Sequence, residues 1–237
     1  IYQKGDTTMK PFSISEIYVN KNNLKSIDIN PLPQKYCSFD CVFCDLGRTD
    51  IITEDIFSFN ENTDFINRLN KFIIENRIEY VFINPNGEAL ANKELLDIIK
   101  LLKEKNIKIK LLGNGYIFSD LKYREILENC DEVIGELCVT ENEDFKKFLR
   151  PVDGYTIEKY ISNLKEFRKF YKGKFILDIT LINKCCERED YFEKMNNFIK
   201  ELKPDEVFFE TTRGKYSILA VDSKLVEKLN KIERYNR

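Results

Sequence analysis

Six short apolar segments alternate with amphipathic helical stretches along almost the whole chain, and this alternation leaves few folds open. The candidate strands are Ser26–Asn30, Glu79–Asn84, Ile107–Leu112, Glu132–Cys138, Lys174–Ile182 and Asp205–Glu210. Several are nearly all apolar or β-branched, as strands covered on both faces should be. Between them, apolar residues recur at helical spacing. Phe65, Leu69, Phe72 and Ile73 share one face of a first helix, and Leu95, Ile98, Ile99 and Leu102 one face of a second that opens with Asn92. A third is expected to start at Ser119 as N-cap, a fourth spans Thr156–Phe170, and two more follow at Tyr191–Leu202 and Ser223–Arg234. Strands that alternate with helices imply a parallel sheet with right-handed crossovers. Six are too few for a closed eight-stranded barrel. The expected class is therefore α/β, an open partial (βα)6 barrel with a curved parallel sheet. Residues 26–237 form its single domain, and residues 1–25 are read as an N-terminal extension with Met9 as the expected native start. The longest stretch without a periodic pattern is Pro31–Phe57, and long loops in compact α/β domains tend to be functional.

Composition narrows the chemistry. The 237 residues are 43% hydrophobic and 33% charged, an ordinary globular balance. Thirty-eight basic against 40 acidic residues give a net charge of −2, which argues against a dedicated nucleic-acid binder. There is no histidine, so Ser-His or Cys-His nucleophile pairs, imidazole bases and His-ligated zinc are excluded. No apolar run approaches the ~20 residues needed to span a bilayer and no signal segment is visible. The expected location is the cytoplasm, where seven cysteines read as metal ligands or buried thiols rather than disulfides.

Three of those cysteines, Cys37, Cys41 and Cys44, fall in the long loop as Cys-Ser-Phe-Asp-Cys-Val-Phe-Cys, directly after the first strand and Pro31-Leu-Pro. Three thiolates on one short loop can wrap a single metal centre. A structural zinc site or a ferredoxin-like cluster wants a fourth protein ligand, here a distant Cys. A four-iron cluster held by three thiolates leaves one iron open to a small molecule. A non-enzymatic Cys-metal module, structural or electron-transferring, stands as one alternative to an enzyme.

The three-then-two spacing, with the aromatic Phe43 just before the last Cys, resembles the signature of the radical S-adenosylmethionine (SAM) superfamily. Within it the closest likeness is to the wyosine-base-synthase-like group. That likeness is carried by Ile29-Asn-Pro-Leu-Pro33, Lys35-Tyr-Cys37, Cys44-Asp-Leu-Gly-Arg-Thr49, Arg150-Pro151 and the Leu164-Lys-Glu-Phe167 helix. The resemblance implies a [4Fe-4S] cluster on Cys37, Cys41 and Cys44 whose open iron chelates SAM. It implies an electron donor of the ferredoxin or flavodoxin type, oxygen sensitivity, and reductive cleavage of SAM to a 5′-deoxyadenosyl radical that takes a hydrogen from a substrate. Phe39, Val42 and Phe43 are suited to shielding the cluster.

The same resemblance assigns the rest of the site. Asn84-Pro-Asn-Gly-Glu-Ala-Leu90 corresponds to the superfamily's glycine–glutamate segment, with Asn86, Gly87 and Glu88 expected to receive the methionyl amino group. Gly113-Asn-Gly115 resembles its Thr-Asn-Gly, giving Asn114 a SAM role. The fourth strand ends Glu136-Leu-Cys138 where the wyosine group has Ser-Leu-Asp. Glu136 is a candidate for the SAM ribose hydroxyls or a cationic substrate group, and Cys138 for a hydrogen-atom donor. Arg150 is a candidate clamp on the SAM carboxylate, and Arg213, after Thr211-Thr212, for an anionic substrate. Cys130 is read as packing, and the adjacent Cys185 and Cys186 as a reactive or incidental pair. In the wyosine-forming enzymes a second cluster sits on upstream cysteines and the substrate is tRNA, whereas no cysteine precedes Cys37 here. The expected substrate is therefore a peptide, a protein side chain or a metabolite, with RNA nucleobase modification as the alternative.

Overall fold

The computed structural model describes residues 10–232. Met9 and the last residues of the expected final helix lie outside them. The six expected strands form, each within a residue or so of its expected ends: β1 Lys25–Asn30, β2 Tyr80–Ile83, β3 Lys108–Gly113, β4 Glu132–Leu137, β5 Lys174–Leu181 and β6 Glu206–Thr211. They lie side by side in chain order and all pair in parallel. Among the described residues β6 pairs with β5 alone, so the sheet is open, not closed into a barrel. At the opposite edge two short antiparallel strands, Ser13–Ile14 and Tyr18–Val19, pair with β1, so these two pieces of the extension belong to the sheet.

Sequential order with right-handed crossovers places every connecting helix on the same side of the sheet. These helices are α1 Asn62–Asn76, α2 Leu95–Glu104, α3 Arg124–Glu128, α4 Ile157–Phe170 and α5 Tyr191–Leu202, and α6 Ser223–Asn230 follows β6. Strand alternation then divides the two faces. Ile27, Ile29, Val81, Ile83, Ile109, Leu111, Phe175, Leu177 and Ile179 point to the helices and join the main core with Phe65, Leu95, Ile99, Leu164 and Phe167. The concave face carries a smaller apolar cluster of Tyr80, Phe82, Leu112, Ile134 and Ile176.

Two of the six helices, α4 and α6, start at a side-chain cap. The Thr156 hydroxyl accepts from Lys159 N (3.2 Å) and caps α4. The expected cap at Ser119 does not form. Asp120 instead accepts from Lys122 N (3.1 Å), starting a short 3-10 turn, and α3 begins only at Arg124. A carboxylate one residue on is as good a cap as a hydroxyl, and here the chain geometry chooses it. Among the described residues no helix is long and apolar enough to cross a membrane.

Candidate active site

Open parallel sheets bind ligands beyond the carboxyl ends of their strands, and there the long loop after β1 meets the loops after the other strands. The first pairing is local. Tyr36–Cys37 pairs in parallel with Ile51–Ile52, and Thr53 N donates to Cys37 O (2.9 Å). On its other side this segment meets the loop after β2: Glu88 N donates to Tyr36 O (2.7 Å). At Gly87 φ is +131°, and a Cβ there would stand 2.2 Å from Tyr36 O, so this approach requires glycine.

A buried carboxylate organises the cysteine loop. Asp40 is 1% exposed; its Oδ1 accepts from Thr49 N (2.9 Å), and its Oδ2 lies 2.7 Å from Arg48 and 3.8 Å from Arg150. Thr49 Oγ1 donates to Phe39 O (2.7 Å), and Lys35 Nζ to Gly47 O (2.6 Å). The Asp40 and Val42 amides donate to the carbonyls of Leu149, Arg150 and Phe148 at 2.8–3.2 Å, where a π turn, Phe145–Leu149, ends in Arg150 at φ 45°. The Cys44-Asp-Leu-Gly-Arg-Thr49 run is thus a clasp that closes on Asp40. Behind it, Phe39 meets Tyr116, Phe145, Tyr155 and Tyr160 edge to face, and Tyr116 stacks on Tyr155.

A cavity of about 430 Å³ opens above the concave face. The cysteine loop supplies Lys35, Cys37, Phe39, Cys41, Phe43, Cys44, Asp45 and Leu46 to its wall. The strand ends supply Asn84, Pro85 and Gly87, Leu112 to Asn114, Glu136, Thr180, and Glu210 to Arg213. Of the expected site residues, it gathers Cys37, Cys41, Cys44, Phe43, Gly87, Asn114, Glu136 and Arg213. Asn114 binds on three sides: its amide donates to Ser38 Oγ (3.0 Å) and toward Cys37 Sγ (3.8 Å), and its Oδ1 accepts from Tyr116 N (2.9 Å). The Tyr160 hydroxyl donates to the Asn114 and Glu136 carbonyls and ties the ends of β3 and β4 together.

Four expected site residues lie off the wall. Glu88 is buried behind it, its oxygens accepting from Leu90 N (3.2 Å) and Asn114 N (2.8 Å). Burial, opposed by those two hydrogen bonds and aided by the charge of Glu136, raises its carboxyl to about 7. Asn86 is buried with its amide N on Asn30 Oδ1 (3.0 Å). Cys138 follows the last paired residue of β4 and sits in the main core, where the Tyr191 hydroxyl donates to its carbonyl (3.0 Å). Arg150 is turned onto Asp40. Two acidic wall residues, Glu210 and Asp45, and the loop's organiser Asp40 escaped the sequence reading. Arg48 and Thr49 beside Gly47, with the distant Arg150, were the signal for Asp40, since a conformation that gathers them needs an anion.

The thiols themselves suit a metal centre. All seven cysteines are free. Burial above all pushes Cys37 up to about 12 and Cys41 well above its ordinary value, so ionising them calls for a cationic centre at the sulfurs. Among the described residues no three His, Cys, Asp or Glu side chains close around one point as a single ion requires.

Known proteins fit this geometry. No family model matches the sequence. Among curated proteins the chain is 24% identical over 219 residues to a GTPase Obg of Brachyspira hyodysenteriae, covering 92% of this chain and 32% of that one. It is 28% identical over 196 residues to a UPF0026 protein of Methanocaldococcus jannaschii, covering 79% and 59%. It therefore spans less than two thirds of these relatives. Among solved structures, TYW1 with a lysine-pyruvate adduct bound superposes with a TM-score of 0.64 at 14% identity, over 88% of this chain and 74% of that one. Streptococcus suis SuiB bound to precursor peptide SuiA gives 0.62 at 16%, over 85% and 44%. Escherichia coli coproporphyrinogen III oxidase, described as a radical SAM enzyme, gives 0.51 at 14%, over 80% and 46%. The fold is the one these solved structures share, one of them described as a radical SAM enzyme. The resemblance drawn from the loop stands, and the open partial barrel is the fold its neighbours share.

Proposed function

We propose that the chain is the catalytic unit of a radical SAM enzyme, with Cys37, Cys41 and Cys44 holding a [4Fe-4S] cluster and SAM lying across the mouth of the sheet. The carrying observation is that three free thiols of one loop and the ends of β2 to β6, or the residues just beyond them, wall a single cavity. Such a cluster, held by Cys37, Cys41 and Cys44, would supply one electron for cleavage of the C5′–S bond of SAM, with methionine as the leaving group, and so hydrogen abstraction from a substrate.

This chain's residues then bind, orient and exclude water. Asn114 donates toward Cys37 Sγ and favours its thiolate form. Gly87 brings the backbone after β2 against the cysteine loop, and Glu88 holds that backbone to Asn114. Phe39, Phe43 and Leu112 give the cavity apolar wall on the cluster side. Glu136 and Glu210 face it from the far side, with Arg213 at the exposed rim, placed to orient the polar groups of SAM and substrate. A peptide, protein side chain or small metabolite is the substrate class we favour, and the fold shared with peptide-bound SuiB supports it. The wyosine-group motifs of the sequence make a nucleobase in RNA the second reading.

Anaerobic reconstitution with iron and sulfide, followed by dithionite and SAM, should yield 5′-deoxyadenosine. Cys37→Ala, Cys41→Ala and Cys44→Ala should each remove both the brown absorbance and that product. One zinc bound per chain with no SAM cleavage would replace the enzyme reading with a structural metal module.

A further inference from the structure

Lys35 is a buried cation in the cavity wall, and among the described residues no carboxylate pairs with it. It is 6% exposed, and an ammonium taken out of water is costly unless an opposite charge accompanies it. Its Nζ donates to Gly47 O (2.6 Å), a neutral partner that uses one of its donors. The carboxylates next to it in the loop are engaged otherwise. Asp50 Oδ2 accepts from the backbone N of Lys35 (2.9 Å), and Asp40 is held by Arg48 and Arg150.

The backbone sets where this charge stands. Lys35 and Cys37 both line the cavity, while Tyr36 between them turns onto Phe57 and Phe59. Strand alternation thus puts the ammonium on the face that carries the first thiol. Gly47, whose carbonyl the ammonium reaches, donates its own N–H to Cys44 O (2.8 Å). The Lys35 side chain therefore ties together the two ends of the loop that holds Cys37, Cys41 and Cys44. Burial raises the Cys37 thiol most and the charge of Glu88 adds to it; Lys35 is the cation whose charge opposes them.

Resting on the function proposed above, we infer that the counter-charge of Lys35 is the cluster itself: its ammonium offsets the negative charge of a four-iron cluster on Cys37, Cys41 and Cys44 and favours the reduced form. Three thiolates leave such a cluster net anionic, and an added electron deepens that charge. A fixed cation in a wall of low dielectric therefore stabilises the reduced state more than the oxidised one. The carboxylate of SAM is the competing anion. It would stand in the cavity only while SAM is bound, whereas the thiolates share the loop with Lys35 permanently.

The test reconstitutes the protein and its Lys35→Gln, Lys35→Met and Lys35→Arg variants anaerobically with iron and sulfide. The midpoint potential is read, without SAM, from the electron paramagnetic resonance of samples poised with dithionite and redox mediators. Lys35→Gln keeps a donor for Gly47 O but not the charge; Lys35→Arg keeps both. At a given applied potential, Lys35→Gln and Lys35→Met should lower the reduced-to-oxidised ratio about tenfold, a shift of about 59 mV to more negative potential. Lys35→Arg should restore most of it, and Lys108→Gln, exposed at the far end of β3, should change nothing. Should the uncharged variants take up no cluster while Lys35→Arg does, the same dependence on charge appears in iron per chain. Equal potentials in the wild type and Lys35→Gln overturn the inference, and weaker SAM binding by that variant would then assign the ammonium to the SAM carboxylate. A shift in Lys35→Arg as large as that in Lys35→Gln also overturns it. A wild-type protein that holds no reducible four-iron cluster fails one step earlier, at the function proposed above, and the inference falls with it.

Discussion

Gly87 and Glu88 are adjacent and do different work. A methyl group at Gly87 would collide with the Tyr36 carbonyl at 2.2 Å in a backbone conformation that side chains rarely adopt. Gly87→Ala should therefore cost about 2 kcal/mol or more in a urea titration and lower the iron bound on reconstitution. Glu88 carries the pH dependence. Its folded carboxyl titrates at about 7 against 4.5 in the unfolded chain, so the folded state holds the proton more tightly. Stability from this group is greatest below about 4.5 and falls as the pH rises to about 7. In the cluster-free protein the melting temperature should fall across that window, and Glu88→Gln should flatten the slope while lowering stability throughout, because one backbone N–H then faces an amide donor. An unchanged slope would assign the titration to another group. Motif spacing marked both residues but not their different orientations. The Glu88 side chain is drawn inward by two backbone donors, a contact 26 residues apart in one case, which no local pattern announces.

At the scale of elements, the strands were the most readable part of the chain. Segments such as Tyr80–Ile83, buried at every position, have to be apolar throughout, and their ends then place Gly87, Asn114, Glu136 and Arg213 at one mouth. The pairing of Tyr36–Cys37 with Ile51–Ile52 was not readable, since two residues carry no period. Nor was the orientation of Cys138, because β4 stops pairing at Leu137 and strand alternation no longer governs the next side chain. The cysteine loop depends on its clasp. Asp40→Ala removes the acceptor of Thr49 N and leaves Arg48 and Arg150 without their shared anion. Because both arginines are substantially exposed, the loss of global stability should be about 1–3 kcal/mol. Iron retention should fall far more, read as iron per chain after gel filtration. Full iron retention would show that the sulfurs hold their place without the clasp. At the start of the helical region after β3, Asp120→Ala should cost about 1 kcal/mol and Ser119→Ala almost nothing, which thermal melts of the two variants would separate.

Over the whole molecule, the apolar core lies between sheet and helices, and the thiols stand at one end of it. Of the three, Cys37 alone is buried within that core; Cys41 and Cys44 are partly exposed. Removing iron with a chelator under oxidant should therefore leave the far-UV circular dichroism of the helices nearly unchanged, while limited proteolysis moves to the Pro31–Phe57 loop. Collapse of the helical signal would mean that the metal holds the fold and not only the loop. The open (βα)6 architecture could be anticipated from strand count and order. The acid-lined far side of the cavity could not, because Glu136 and Glu210 lie far apart in sequence and meet only through the shared partner strand β5.

That wall has a temporal side. Its two halves are read out far apart: the thiols lie in the first quarter of the chain and β6 near its end. At 5–20 residues per second, roughly 170 residues separate Cys44 from Thr211, a delay of about 8 to 33 s during translation. Throughout that interval the three sulfurs have no far wall opposite them. A cluster on these thiols would find its far wall only once β6 has been made.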